Sequence, residues 1–132
     1  MTEVRNRLRV LVADDSELQL QFEQALLADE PFDFLIARNG AEAVEAARRH
    51  LPDLILLDIV MPVMDGIAAA QALRDDPATA TIPIIMVTSQ TEADYMENAF
   101  VGGCNDYVTK PVHKDELIAK IRSLTGTQEA HA

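Results

Sequence analysis

Five times along this chain a short apolar run gives way to a stretch with helical periodicity, and that alternation restricts the fold more than any other feature. The candidate strands are Leu8 to Ala13, Phe32 to Ile36, Leu54 to Leu57, Ile82 to Val87 and Cys104 to Val108. The continuous apolar run Leu54 to Leu57 fits a central strand covered on both faces, as in a parallel sheet. The intervening segments carry helix signals. Ser16 with Gln19, Asn39 with Glu42 and Ser89 with Glu92 have the spacing of capping boxes. Leu18, Phe22, Ala25 and Leu26 then repeat at helical spacing, as do Val44, Ala47 and Leu51, and Ile67, Ala70 and Leu73. Pro31, Pro52, Pro77 and the pair Gly102-Gly103 close these stretches, the fourth of which runs toward Phe100. Leu117, Ile118, Ile121 and Leu124 line a last helix. Strands alternating with helices predict an α/β three-layer sandwich: a five-stranded parallel sheet with five helices on its two faces.

At 132 residues, one domain accommodates the whole chain. The expected organisation is a single domain over 1–132, with its core at about 8–124 and a polar tail at 125–132. Hydrophobic residues make up 48%, far too many for a disordered chain. Cys104 is the sole cysteine, so no internal disulfide forms. No apolar stretch reaches the length of a membrane span and the N-terminus lacks a signal-peptide core, which predicts a cytoplasmic protein without membrane contact. A net charge of −11 argues against direct binding of nucleic acid.

The polar residues gather at strand ends. Asp14 and Asp15 follow the first run, Asp58 the third, Thr88 the fourth and Lys110 the fifth. In a doubly wound parallel sheet the carboxyl ends lie along one edge and converge near the switch in strand order. Three carboxylates, a hydroxyl and an ammonium therefore share one crevice. Close carboxylates carrying about −3 raise one another's pKa or demand cations. Lys110 supplies one positive charge, and a hard divalent ion such as Mg²⁺, which takes oxygen ligands and retains waters, supplies the rest. Cysteine and histidine ligands are lacking, which argues against zinc. His50, His113 and His131 are too scattered to act together. In such a pocket Asp58 is a candidate nucleophile toward phosphorus, because an aspartate forms an acyl phosphate and phosphoryl transfer depends mainly on positioning and charge. Taken singly, each residue has an ordinary reading as helix cap, surface lysine or strand end. Their coincidence along one edge favours the site.

The segments VLVADDS, DLILLDIVMPVMDG, IPIIMVTS and GGCNDYVTKP resemble the receiver domain of two-component response regulators, the CheY-like family, over about Leu8 to Leu124. The resemblance implies a flavodoxin-like strand order of 2-1-3-4-5. It implies a signalling module rather than an enzyme, with at most autophosphorylation from small phosphodonors and autodephosphorylation. Asp58 would be the phosphoacceptor, served by a sensor histidine kinase or a histidine phosphotransfer protein. Asp15, Asp58 and the backbone carbonyl of Val60 would ligate Mg²⁺, or Mn²⁺ in its place, and Asp14 would assist through water. Lys110 would pair with the acceptor, and its bond to Pro111 would be cis. Thr88 and Tyr107 would form the switch, Tyr107 being otherwise a core side chain. The switch would remodel the face of the fourth helix, fifth strand and fifth helix, through which a downstream partner, a missing output domain or a homodimer is expected. Val60 and Gln90 fall at variable positions that tune acyl-phosphate lifetime, and Gly103-Cys104 departs mildly from the commoner Gly-Ala. The alternative is a Mg²⁺-dependent phosphohydrolase of the haloacid dehalogenase type, which wants an aspartate where this chain has Val60.

Overall fold

In the computed structural model, which describes residues 7–89, 91 and 103–126, five strands form one parallel sheet. They are β1 (Leu8–Ala13), β2 (Phe32–Ala37), β3 (Leu54–Asp58), β4 (Ile84–Thr88) and β5 (Asp106–Thr109). Their order is β2-β1-β3-β4-β5, so the direction of winding reverses beside β1 and β3. The described helices are α1 (Glu17–Leu26), α2 (Gly40–His50), α3 (Gly66–Asp75) and α4 (Lys114–Thr125). Of the helix expected from Ser89 toward Phe100, only Ser89 and Thr91 are among the described residues. Gln90, Gly102, His131 and most of the expected tail also lie outside them.

The three layers follow from the two-residue period of the strands. Leu11, Ala13, Ile55, Leu57, Ile84 and Met86 point to one face and pack with Val44 and Ala47 of α2 and Ala70 and Leu73 of α3. Val10, Val12, Leu54, Leu56, Ile85 and Val87 point to the other, against Leu20 of α1 and Leu117 and Ile121 of α4. Every residue of β3 and β4 is buried. Among the described residues, no helix is long and apolar enough to cross a membrane.

Two strand starts differ from the sequence reading. β4 begins at Ile84 rather than Ile82 because Pro83 has no N–H for the ladder. β5 begins at Asp106 rather than Cys104; Asn105 precedes it, its N–H on the Ile84 carbonyl and its Oδ1 accepting the Ile84 N–H, both at 2.8 Å. A larger correction concerns the helix faces. Leu18 and Phe22 are 71% and 41% exposed, and Ala25 is exposed too. The buried face of α1 is Leu20 and Glu23, continued by Leu27 just past its end. A glutamate at the inward centre hides the true stripe. Leu51 is likewise exposed, because it ends α2 in the left-handed conformation (φ 48°).

Candidate functional site

Strand register sets the site. Ala13 pairs with Leu57, so the residues that follow each, Asp14 and Asp58, stand side by side on adjacent central strands. Asp58 pairs in turn with Val87, and Thr88 with Thr109, which puts Thr88 and Lys110 at the same edge. The Lys110 N–H donates to the Thr88 carbonyl at 2.7 Å. Lys110–Pro111 is a cis peptide.

The loop after β3 is fixed from both ends. The Gly66 N–H donates to the Ile59 carbonyl at 2.8 Å, and a Cβ on Gly66 would lie 2.2 Å from the carbonyl oxygen of Asp58. Only glycine permits that approach. Asp65 caps α3 by accepting from the Ala68 N–H, so the chain turns back directly beneath Asp58.

Carboxylate oxygens of Asp14, Asp15 and Asp58 lie within 4.8 Å of one another. Asp58 is 4% exposed, and its Oδ1 is 3.0 Å from Lys110 Nζ. Asp14 is 1% exposed; its Oδ1 accepts from the Ser16 N–H at 2.9 Å, whereas its buried Oδ2 has no hydrogen-bond partner. A buried carboxylate oxygen without a donor is destabilising unless a cation or water satisfies it. Together with the all-oxygen donor set, that orphaned atom fits a hard divalent ion. Asp15 is exposed, at the mouth.

Charge is unevenly compensated. Burial raises the pKa of Asp14, against the pull of the Ser16 N–H and Lys110. Burial alone would lower the pKa of Lys110, but its hydrogen bond to Asp58 and the charges of Asp58, Asp14 and Glu23 outweigh that and raise it. Lys110 therefore stays an ammonium. Thr88 is fully buried, and its hydroxyl donates to the Ser89 carbonyl at 3.2 Å. Tyr107 is half-buried against the α2–α3 side of the core. Val60 is 60% exposed.

The structure thus brings Asp14, Asp15, Asp58 and Lys110 into one cluster and sets Thr88 beside it. Sequence reasoning missed Glu23, a buried acid whose charge is felt at Lys110. Its signal was present but faint: placed on the stripe Leu20 and Leu27, position 23 falls inward.

Residues 10–122 match the family described as response regulator receiver domain. The chain is 38% identical over 117 residues to the response regulator PleD of Caulobacter vibrioides, covering 89% of this chain and 26% of PleD. It is 35% identical to the polar-differentiation response regulator DivK of Brucella anthropi, over 89% of this chain and 95% of DivK. With the cell cycle transcriptional regulator CtrA of Caulobacter vibrioides it shares 36%, over 95% of this chain and 53% of CtrA. It therefore spans about a quarter of PleD and about half of CtrA, but nearly all of DivK. Among solved structures, it resembles the receiver domain of sensor histidine kinase PA1611 from Pseudomonas aeruginosa PAO1, which holds a magnesium ion in its active site cleft (TM-score 0.84, 28% identity, 91% of this chain and 98% of that one). It also resembles the chemotaxis response regulator CheY4 of Vibrio cholerae (TM-score 0.81, 27% identity, 90% and 99%). Nothing here favours a phosphohydrolase.

Proposed function

The chain belongs to the response regulator receiver domain family, and from that premise we propose that it is the phosphoacceptor module of a two-component phosphorelay, with Asp58 as acceptor. What carries this reading is one arrangement: three carboxylates within 4.8 Å, one of them ion-paired to Lys110 at 3.0 Å. In the proposed step a carboxylate oxygen of Asp58 attacks the phosphorus of a phosphohistidine on a histidine kinase or phosphotransfer protein. The P–O bond to Asp58 forms, the P–N bond breaks, and the imidazole nitrogen carries off the electron pair. Water later cleaves the acyl phosphate, restoring Asp58 and releasing inorganic phosphate.

Each neighbour has a task. Lys110 holds Asp58 in place and supplies positive charge toward the phosphoryl oxygens. Asp15, Asp58 and the Val60 carbonyl would hold Mg²⁺ (or Mn²⁺) directly, with Asp14 assisting through water. Bound there, the ion would neutralise charge on the arriving phosphoryl group. Thr88 then turns its hydroxyl from the Ser89 carbonyl to a phosphoryl oxygen, and Tyr107 follows inward. A ligand shifts an equilibrium only through contacts that differ between two states, and these two side chains are where such contacts change. The remodelled face includes β5 and α4, and it signals to a downstream partner or an attached output domain.

The test is incubation with acetyl phosphate and Mg²⁺, followed by intact-mass measurement. One labile phosphoryl group is expected, absent in Asp58→Asn and when the metal is chelated. A phosphoryl group retained by Asp58→Asn would overturn the assignment.

A further inference from the structure

Two segments bring the acidic cluster together, and a third, which adds no residue to it, touches both. The cluster draws Asp14 and Asp15 from the loop after β1 and Asp58 from the end of β3. Between β2 and α2 lie only Arg38 and Asn39. This short turn meets the first segment where the Asp14 N–H donates to the Ala37 carbonyl at 3.1 Å. It meets the loop that continues from Asp58 where the Gly40 N–H donates to the Met64 carbonyl at 2.8 Å. The second contact has no slack. A Cβ on Gly40 would lie 2.2 Å from the Met64 carbonyl oxygen and 3.0 Å from that of Asp65. Both obstacles are backbone, so no side chain can swing aside to make room.

Gly40 is itself held. The Arg38 N–H donates to Glu42 Oε1 and the Glu42 N–H to Asn39 Oδ1, both at 2.8 Å, a reciprocal pair in the manner of a capping box. Arg38 also pairs with Glu17 of α1 at 2.8 Å, but both side chains are more than half exposed and such pairs contribute little. The backbone contact therefore dominates. With Gly66 bonded to Ile59 and Gly40 to Met64, the loop is clamped on either side of the span 60–63. We propose that the β2–α2 turn braces the acceptor pocket: Gly40 is a positioning residue that sets the β3–α3 loop against the Asp14–Asp15 segment, so that the ligands stand in place before a divalent cation arrives. The inference rests on the reading of that cluster as a cation site. Groups outside the ligand set that fix its orientation raise metal affinity, because less has to be ordered on binding. Binding and bracing are reciprocal, so an occupied cluster tightens the Gly40–Met64 bond in return.

The experiment is calorimetric Mg²⁺ titration of the full chain beside amide hydrogen exchange with and without Mg²⁺. Gly40→Ala, which must push the loop away, is expected to bind Mg²⁺ roughly tenfold or more weakly. Gly103→Ala is the control for lost stability alone. It is strained by a φ of 76° and by Arg74 Cγ 2.7 Å from the added Cβ, yet it lies ahead of β5, at the opposite edge of the sheet, and should keep the wild-type affinity. In the wild type, Mg²⁺ is expected to slow exchange of the Gly40 amide more than that of the Asn105 amide, which donates to the Ile84 carbonyl at 2.8 Å at that far edge. If Mg²⁺ binds wild type and Gly40→Ala equally, or slows both amides equally, the brace is refuted while the site reading stands. If wild type binds no Mg²⁺ and Asp58 accepts no phosphoryl group, both fall together. The exchange measurement decides the matter even if Gly40→Ala folds poorly.

Discussion

Asp58 and Glu23, like Asp14, are almost fully buried, and the two differ in what the fold gives them. Asp58 is met by an ammonium at 3.0 Å; Glu23 is met by an amide. Folding therefore desolvates Glu23 without supplying a contacting cation, and its carboxyl group favours the neutral form. The consequence for stability has a definite sign. With a pKa raised from 4.5 to about 7, folded Glu23 keeps a proton that the unfolded chain has already lost. Its contribution is fully present below the unfolded value and is lost as pH rises through the folded one. Over that window the loss is on the order of 3 kcal/mol. In urea denaturation, wild type should thus lose stability relative to Glu23→Gln between about pH 5 and about pH 8, because the amide has nothing to titrate. Since Asp14 titrates in both proteins, the difference isolates Glu23. Parallel curves for the two proteins would mean that Glu23 is ionised throughout.

Elements show where local sequence spoke plainly and where it did not. β1 matched its expected bounds, Leu8–Ala13, and β3 differs only by counting Asp58 as its last residue, because both strands are covered on both faces and turn residues follow at once. α1 was recognised as a helix by its cap, and Ser16 does accept from the Gln19 N–H. Its buried face was misread, because Gln19 spends its side chain on Glu23 instead of closing the capping box, and an acid interrupts the apolar stripe. The loop between β3 and α3 held another hidden feature. The Met64 N–H donates to the Pro62 carbonyl at 2.7 Å across Val63, which has φ 70° and is 84% exposed. A β-branched residue in the left-handed region is strained, and a three-residue turn of this hand is rare. The turn is held because the Met64 carbonyl accepts the Gly40 N–H at 2.8 Å, tying it to the start of α2. Relief of that strain in Val63→Gly is expected to raise stability by about 1 kcal/mol, since no buried contact is lost and glycine adopts this φ freely. A lower denaturation midpoint for the variant would show that the turn is not under strain.

At the scale of the whole molecule, parallel pairing gathers at one edge groups that lie far apart in sequence, and it does so in a chain with 22 acidic and 11 basic residues. Alternation of runs made the sheet legible, and the polar residues ending four of the five runs made the edge legible. What one dimension could not supply was the oxygen left over: Lys110 stands 3.0 Å from Asp58, while the buried Asp14 Oδ2 is without a donor. Acids drawn together this way repel one another, and the folded state carries that repulsion while the unfolded chain largely escapes it. An ion that binds the assembled cluster and not the separated aspartates therefore stabilises the fold by mass action. At a Mg²⁺ concentration about a hundredfold above its dissociation constant this is worth about 2.7 kcal/mol, or a rise in Tm of roughly 10 °C for a chain of this size. Sodium chloride at equal ionic strength only screens the charges and should give a much smaller rise. Asp15→Asn removes a proposed ligand from the mouth of the cluster without disturbing a buried contact, so it should keep its metal-free Tm or gain slightly while losing most of the Mg²⁺ response. Equal Mg²⁺ responses in the variant and wild type would place the ion elsewhere on the acidic surface.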